Sequence, residues 1–233
     1  MSDLLRNLIV IAVVMGAILF VCSYLIWLER KLSAWMQDRI GPNRVGPFGL
    51  LQPIADGLKF LLKEDIIPDH VDKVLFLVAP TISVFTTMLA FAVVPFGPNS
   101  ANPDDFQFII APNVDIGVVF IFAITSLAVY GVILGGWSSN NKYGALGALR
   151  SSAQVVSYEI PLGLSVLGVA LLSGTLNLEN IIDQQARGSL HWNFWCQPLA
   201  CLIFFTSALA ESNRLPFDLP ECEQELGGGY HTE

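Results

Sequence analysis

Charge is scarce in this chain. Only 14% of its 233 residues are Asp, Glu, Lys or Arg, while 53% are hydrophobic. Soluble domains carry nearer ~25% charged residues. With a mean hydropathy of +0.58 and its apolar residues gathered into long runs, the chain reads as a membrane protein. Cysteine is scarce too. Cys22, Cys196 and Cys201 lie in apolar runs and Cys222 in an acidic stretch. There is no C-x-x-C pair, and Cys196 and Cys201 do not share a helix face. A cluster or disulfide framework is therefore unsupported, and buried thiols are the plain reading. Of the three histidines, His70 reads as a loop residue and His191 as a headgroup neighbour, neither as a ligand. Gly41-x-x-x-x-Gly46 lacks a following Lys and is no phosphate loop. No repeat, heptad pattern or nucleic-acid signature is present.

A bilayer core takes roughly 20 apolar residues per helix. Five windows meet or approach that length: 8–27, 74–96, 116–137, 155–173 and 194–209, the last being the shortest. Barrel strands would be ~10 residues long with strict alternation, and these runs have no period of two. The first window is not a cleavable signal: Arg6 alone precedes it, no small-residue cleavage site follows, and Leu28-Glu-Arg-Lys comes directly after. The expected fold is all-α. It is a single polytopic transmembrane helix bundle over 1–233, with one amphipathic helix at 50–62 lying in the interface.

Orientation follows Lys and Arg rather than net charge. Segments 28–73, 138–154 and the C-terminal stretch hold ten of them, against Arg6 and Arg187 on the opposite side. The N-terminus is expected outside, and 28–73, 138–154 and 211–233 on the cytoplasmic face.

In chain order, Trp27 suits the headgroup level, and Glu29 and Arg30 follow at the membrane edge, as an interfacial ion pair or as the polar mouth of a cavity. Gly41-Pro42 and Gly46-Pro47 stop any helix and fix a rigid turn. Leu50, Leu51, Ile54, Leu58, Leu61 and Leu62 then recur at three- and four-residue steps, with Asp56, Lys59 and Lys63 on the other face. Asp56 and Lys59 are spaced to pair. Pro80 lies near the start of the second window. The polar turn Trp137-Ser-Ser-Asn-Asn141 leads into a small-residue helix suited to close packing.

The sharpest anomaly is Ser157-Tyr-Glu-Ile-Pro161. Glu159 enters an apolar run, where a lone carboxylate costs on the order of several kcal/mol unless paired, hydrated or protonated. Pro161 removes a helix hydrogen bond nearby. Either Glu159 is half-hydrated near the membrane edge or it carries a proton. Segment 174–193 reads as an outer loop or short helix ending in the aromatic belt His191-Trp-Asn-Phe-Trp195. After the fifth window come Glu211, Arg214, Asp218, Glu221, Glu223, Glu225 and Glu233, broken by Pro216, Pro220 and Gly227-Gly-Gly229. Carboxylates so close would titrate as a coupled set.

Five motifs in this order carry a family resemblance: Glu29-Arg-Lys with Gly41-Pro-Asn-Arg-Val-Gly-Pro47, Gly49-Leu-Leu-Gln-Pro-Ile-Ala-Asp-Gly-Leu-Lys59, Trp137-Ser-Ser-Asn-Asn-Lys-Tyr143, Ser157-Tyr-Glu159, and Ala210-Glu-Ser-Asn-Arg-Leu-Pro-Phe-Asp-Leu-Pro220. From Glu29 onward the chain resembles the H-type membrane subunits of the proton-pumping NADH–quinone oxidoreductases, respiratory complex I, whose mitochondrial counterpart is subunit 1. The closing Gly-Tyr-His-Thr-Glu looks bacterial, so the resemblance implies the bacterial inner (plasma) membrane.

It further implies a quinone chamber shared with the peripheral subunits, neighbouring small membrane subunits, and a proton path. Glu29, Arg30, Arg39, Asn43 and Gln52 fall near the chamber mouth. Asp56, Lys59, Glu159 and Glu211 match polar residues leading inward. Glu221, Glu223 and Glu225 match an acidic loop flanked by Arg214 and Asp218. Quinone is the substrate; FMN and iron–sulfur clusters are expected in partner subunits, with no redox cofactor, metal or nucleic acid bound here. Cys222 and Gly227-Gly-Gly229 depart from the family's commoner small or polar residues, and the family carries further spans beyond the fifth, so a C-terminal truncation is expected. Two rivals stand beside this reading. One is the membrane anchor of a related proton-pumping hydrogenase. The other is a secondary transporter, for which no inverted repeat is visible.

Overall fold

The computed structural model describes residues 3–64, 67–97, 109–186, 188, 191–214 and 216–218. All regular structure among them is helical: α1 (Asp3–Met36), α2 (Gln52–Leu62), α3 (Lys73–Ala90), α4 (Gly117–Ser138), α5 (Lys142–Ser173), α6 (Leu178–Ala186), α7 (Asn193–Cys196) and α8 (Pro198–Glu211). Short 3₁₀ turns occupy Pro47–Gly49 and Phe91–Val93. Four helices, Leu5–Met36, Lys73–Val93, Gly117–Ser138 and Lys142–Ser173, are long and apolar enough to cross a membrane.

The chain forms two compact units, Met1–Ile66 and Ile67–Glu233. In the first, α1 runs well past the apolar window 8–27. Leu28, Glu29, Arg30 and Lys31 are good helix formers, so nothing local ends the helix at the charge boundary. Its 34 residues rise ~51 Å, beyond the ~30 Å hydrocarbon core. The helix stops where Asp38 adopts φ 54° and the Gly-Pro turns begin. Gly49 sits at φ +78°, and a Cβ there would stand 2.3 Å from the Pro42 carbonyl oxygen. Only glycine lets the two limbs of this turn meet. Lys31, buried, donates to that same carbonyl at 2.9 Å. Leu51 N–H closes the loop onto Val45 O at 3.2 Å. The expected amphipathic helix 50–62 forms as α2, with Leu50 and Leu51 still in the turn and Pro53 in its first turn.

In the second unit α3, α4, α5 and α8 pack together. Asp72 caps α3 by accepting from Val74 and Leu75 N–H at 3.2 and 3.4 Å. Its own N–H reaches Ser138 O at 3.1 Å and so ties the start of α3 to the end of α4. Asn140 at φ 50° makes the turn from α4, and the Asn141 side chain caps α5 through Tyr143 N–H at 3.1 Å. The small-residue helix expected after Asn141 and the span expected at 155–173 are one continuous 32-residue helix with Pro161 inside it. Gly174, in the left-handed conformation, ends it.

At the other end, Glu179 is buried and accepts from Asn113 N–H at 2.7 Å. The fifth apolar window is interrupted. Pro198 restricts the residue before it, Gln197 takes φ −136°, ψ 64°, and the helical path breaks into α7 and α8. The 14 residues of α8 rise ~21 Å, short of the hydrocarbon core.

Candidate functional site

The first unit brings Arg30, Gln52 and Asp56 together. Arg30 Nη1 lies 2.7 Å from Asp56 Oδ2. Gln52 Nε2, one turn earlier on α2, donates to Asp56 Oδ1 at 3.0 Å. The Gln52 amide, and next the Arg30 guanidinium, hold the Asp56 carboxyl below its ordinary 3.8. The spacing of Asp56 and Lys59 would allow them to pair, but Asp56 takes Arg30 instead. The turn at 39–49 folds α2 back along α1, and a guanidinium 26 residues away supplies a 2.7 Å hydrogen bond. Lys59 adds only a weaker, more distant attraction.

Beside this trio is a hollow of about 200 Å³ lined by Ser23, Ile26, Trp27 and Arg30 from α1 and by Gln52, Pro53, Asp56, Gly57 and Phe60 from α2. Trp27 Nε1 is buried without a hydrogen-bond partner. A second hollow of about 400 Å³ is framed by Ile40, Gly41, Pro42, Asn43, Arg44 and Gln52. Of the residues expected at a chamber mouth, Arg30, Asn43 and Gln52 thus line hollows. Glu29 and Arg39 are exposed and line neither.

The second unit holds a cavity of about 520 Å³ between α3, α4, α5 and the end of α8. Its wall mixes aliphatic side chains with Ser83, Thr87, Thr125, Ser152, Glu211, Ser212 and Asn213. Hydroxyls are cheap here because each can return its proton to a carbonyl of its own helix, as Thr87 does to Ser83 O at 2.8 Å. Glu211, half-buried, ends α8 and lines the cavity. Glu159, half-buried on α5, accepts a hydrogen bond from Ser126 Oγ on α4. The charge of Glu159 acts on Glu211, so the two acids belong to one electrostatic neighbourhood.

The chain after α8 is fastened to α5. Gln154 Nε2 donates to Phe217 O at 2.8 Å and approaches Ala210 O and Asn213 Oδ1, each at 3.4 Å. One turn further on, the Tyr158 ring meets the Phe217 ring edge-on, centroids 5.1 Å apart. Arg214 is exposed and Asp218 half-buried. Glu221, Glu223 and Glu225 lie outside the described residues.

Lys31, Ser126, Gln154 and Glu179 went unnoticed in the sequence. Ser126 and Gln154 carry no charge, and a serine in an apolar run reads as a small packing residue. Glu179 sat in a stretch read as an outer loop or short helix. Among the described residues no cluster of three or more His, Cys, Asp or Glu could hold a metal ion.

The family model described as NADH dehydrogenase matches residues 8–233. The H-type subunit 1 of NADH-quinone oxidoreductase from Cytophaga hutchinsonii is 49% identical over 230 residues, 99% of this chain and 67% of the relative. The H-type subunit 2 of the same enzyme from Koribacter versatilis is 50% identical over 242 residues, 99% of this chain and 68% of the relative. NADH-quinone oxidoreductase subunit 8 of Rhodothermus marinus is 49% identical over 222 residues, 94% of this chain and 62% of the relative. The chain therefore spans about two thirds of the length of these relatives.

Proposed function

The chain belongs to the NADH dehydrogenase family, as a membrane subunit of NADH:quinone oxidoreductase, and on that premise we propose that it forms part of the quinone chamber and couples quinone reduction to proton translocation. The observation that carries the proposal is the pairing of two acids, Glu159 and Glu211, on neighbouring helices beside a partly polar cavity. An apolar bundle that keeps two carboxylates within electrostatic reach holds protons whose ownership a nearby change of charge can shift.

The unit of α1, the turn and α2 supplies the chamber mouth in this reading. Arg30, Asn43 and Gln52 face hollows that suit a ring with polar substituents; Glu29 and Arg39 stand on the same segment. Asp56 and Lys59 begin the inward path, Glu159 and Glu211 continue it, and Arg214 and Asp218 flank the loop that carries Glu221, Glu223 and Glu225. α2 lies in the interface. Its Leu58, Leu61 and Leu62 are 55%, 83% and 86% exposed, and lipid would cover what the protein leaves open. The N-terminus is outside, in a bacterial inner membrane. Partners are the peripheral subunits that close the quinone site and carry FMN and iron–sulfur clusters, and small membrane subunits alongside. The relatives' names favour this assignment over a hydrogenase anchor or a transporter.

Glu159→Gln in the assembled complex tests the reading. Quinone-dependent proton translocation should be lost while the complex still assembles and still oxidises NADH with an artificial acceptor. Undiminished translocation by the variant would refute it.

A further inference from the structure

Ser126 is the one described side chain that hydrogen-bonds Glu159, and it has a second partner. Its Oγ lies 2.7 Å from the Phe122 carbonyl oxygen of its own helix and also within hydrogen-bond reach of Glu159 Oε1. A serine hydroxyl has one proton and two lone pairs, so it donates to one of these acceptors at a time. Neighbouring Thr125 makes the contrast. Its hydroxyl meets only backbone, Ile121 O at 3.0 Å and Phe122 O at 3.1 Å, and is an ordinary helix back-bond.

We infer that Ser126 is a positioning residue that serves Glu159 in both of its protonation states. With Glu159 ionised, the Ser126 hydroxyl points across the helix interface and donates to the carboxylate. With Glu159 protonated, the carboxylic acid donates to Ser126 Oγ, and the hydroxyl turns its own proton to Phe122 O. No proton is gained or lost by the serine; only the direction of two hydrogen bonds reverses. Phe122 O keeps its helix bond throughout, because α4 is unbroken from Gly117 to Ser138, so neither orientation strands a backbone group. A fixed donor such as an amide N–H would favour the ionised acid alone, and an apolar neighbour the neutral acid alone. A hydroxyl that can reverse lets the acid change state without either penalty.

The surroundings leave this task to Ser126. α4 itself carries no Asp, Glu, Lys or Arg, and Glu211 at the end of α8 acts on Glu159 by repulsion. This inference rests on the reading of Glu159 as an acid that exchanges its proton, but its test does not depend on quinone coupling. Acid-minus-alkali infrared difference spectra of the assembled complex would be recorded for the wild type and for Glu159→Gln. The carboxylic C=O band lost in E159Q belongs to Glu159. Ser126→Ala should move that band to higher wavenumber, since the acid loses its acceptor, and Ser126→Thr should hold it at the wild-type position.

An unchanged band in S126A, or the absence of any band lost in E159Q, overturns the inference. Should S126A not assemble, the pair S126T and S126C carries the test, with the band held by Thr and displaced by Cys. Failure of the functional reading shows separately, as E159Q that still translocates protons while the band shift stands.

Discussion

Gly136→Ala probes whether α4 and α5 are held at the distance their small residues permit. Both helices leave the 139–141 turn with Gly136 buried on α4 and Gly144 and Ala148 buried on α5. A Cβ on residue 136 would lie 2.2 Å from Ala148 Cβ and 2.8 Å from Gly144 O. Carbon atoms rest at about 3.5–4.0 Å, so the helices must part by roughly 1.5 Å at this crossing. A single flexible side chain cannot absorb that, because one obstacle is a methyl on the backbone and the other is backbone itself. Overpacking of this kind costs about 1–3 kcal/mol.

Equilibrium unfolding in bicelles with rising SDS, followed by tryptophan fluorescence, would read the loss. Ala148→Gly alone should cost less, on the order of 1 kcal/mol of helix propensity plus a buried methyl. The double variant G136A/A148G removes the 2.2 Å contact and leaves only the 2.8 Å one. It should therefore be more stable than the sum of the two singles by about 1–2 kcal/mol, within the range seen for residues in contact. Strictly additive changes, or a G136A chain as stable as wild type, would refute a crossing this close.

Two further outcomes follow from the same geometry. Gln154→Leu removes the donor that holds Phe217 O at 2.8 Å. A net loss of about 1 kcal/mol corresponds to roughly fivefold faster amide exchange over 213–217, read at the Phe217 N–H that closes onto Arg214 O at 2.8 Å; unchanged exchange would remove Gln154 as the fastening of this segment. Asp56 should titrate below its ordinary 3.8, with Gln52→Leu and Arg30→Gln each raising it, as read by carboxyl-carbon NMR. Because the folded value is depressed, the pairing stabilises the chain above the ordinary value and is lost as pH falls through the folded one. An Asp56 that titrates at or above 3.8 in the wild type would contradict the Gln52–Asp56–Arg30 geometry.

Hydropathy disclosed the long helices because a bilayer imposes one rule, a run of apolar residues with its backbone satisfied internally. Four of the five windows became helices of spanning length for that reason. Their ends were not legible. Hydropathy locates where the membrane stops, whereas helix propensity and capping decide where the helix stops, and α1 continues through Glu29-Arg-Lys to Met36. The fifth window failed on a local term, Pro198 acting on Gln197, which averaging over a window conceals.

The candidate site divides along a similar line. Acids in an apolar setting announce themselves by their desolvation cost, so Glu159 and Glu211 could be picked out from sequence. The groups that serve them could not. The spacing of Asp56 suggested Lys59, three residues away, because spacing sees only along one helix; the partner, Arg30, comes through a turn whose closure depends on the fit of Gly49 against Pro42. Ser126 and Gln154 are neutral and carry no penalty that a sequence could register. A hydroxyl can always return its proton to its own helix, so Ser126 resembles every other serine in the bundle until α5 is brought beside it. Charge marks where a proton path must be supported, and tertiary packing alone decides which neutral side chains support it.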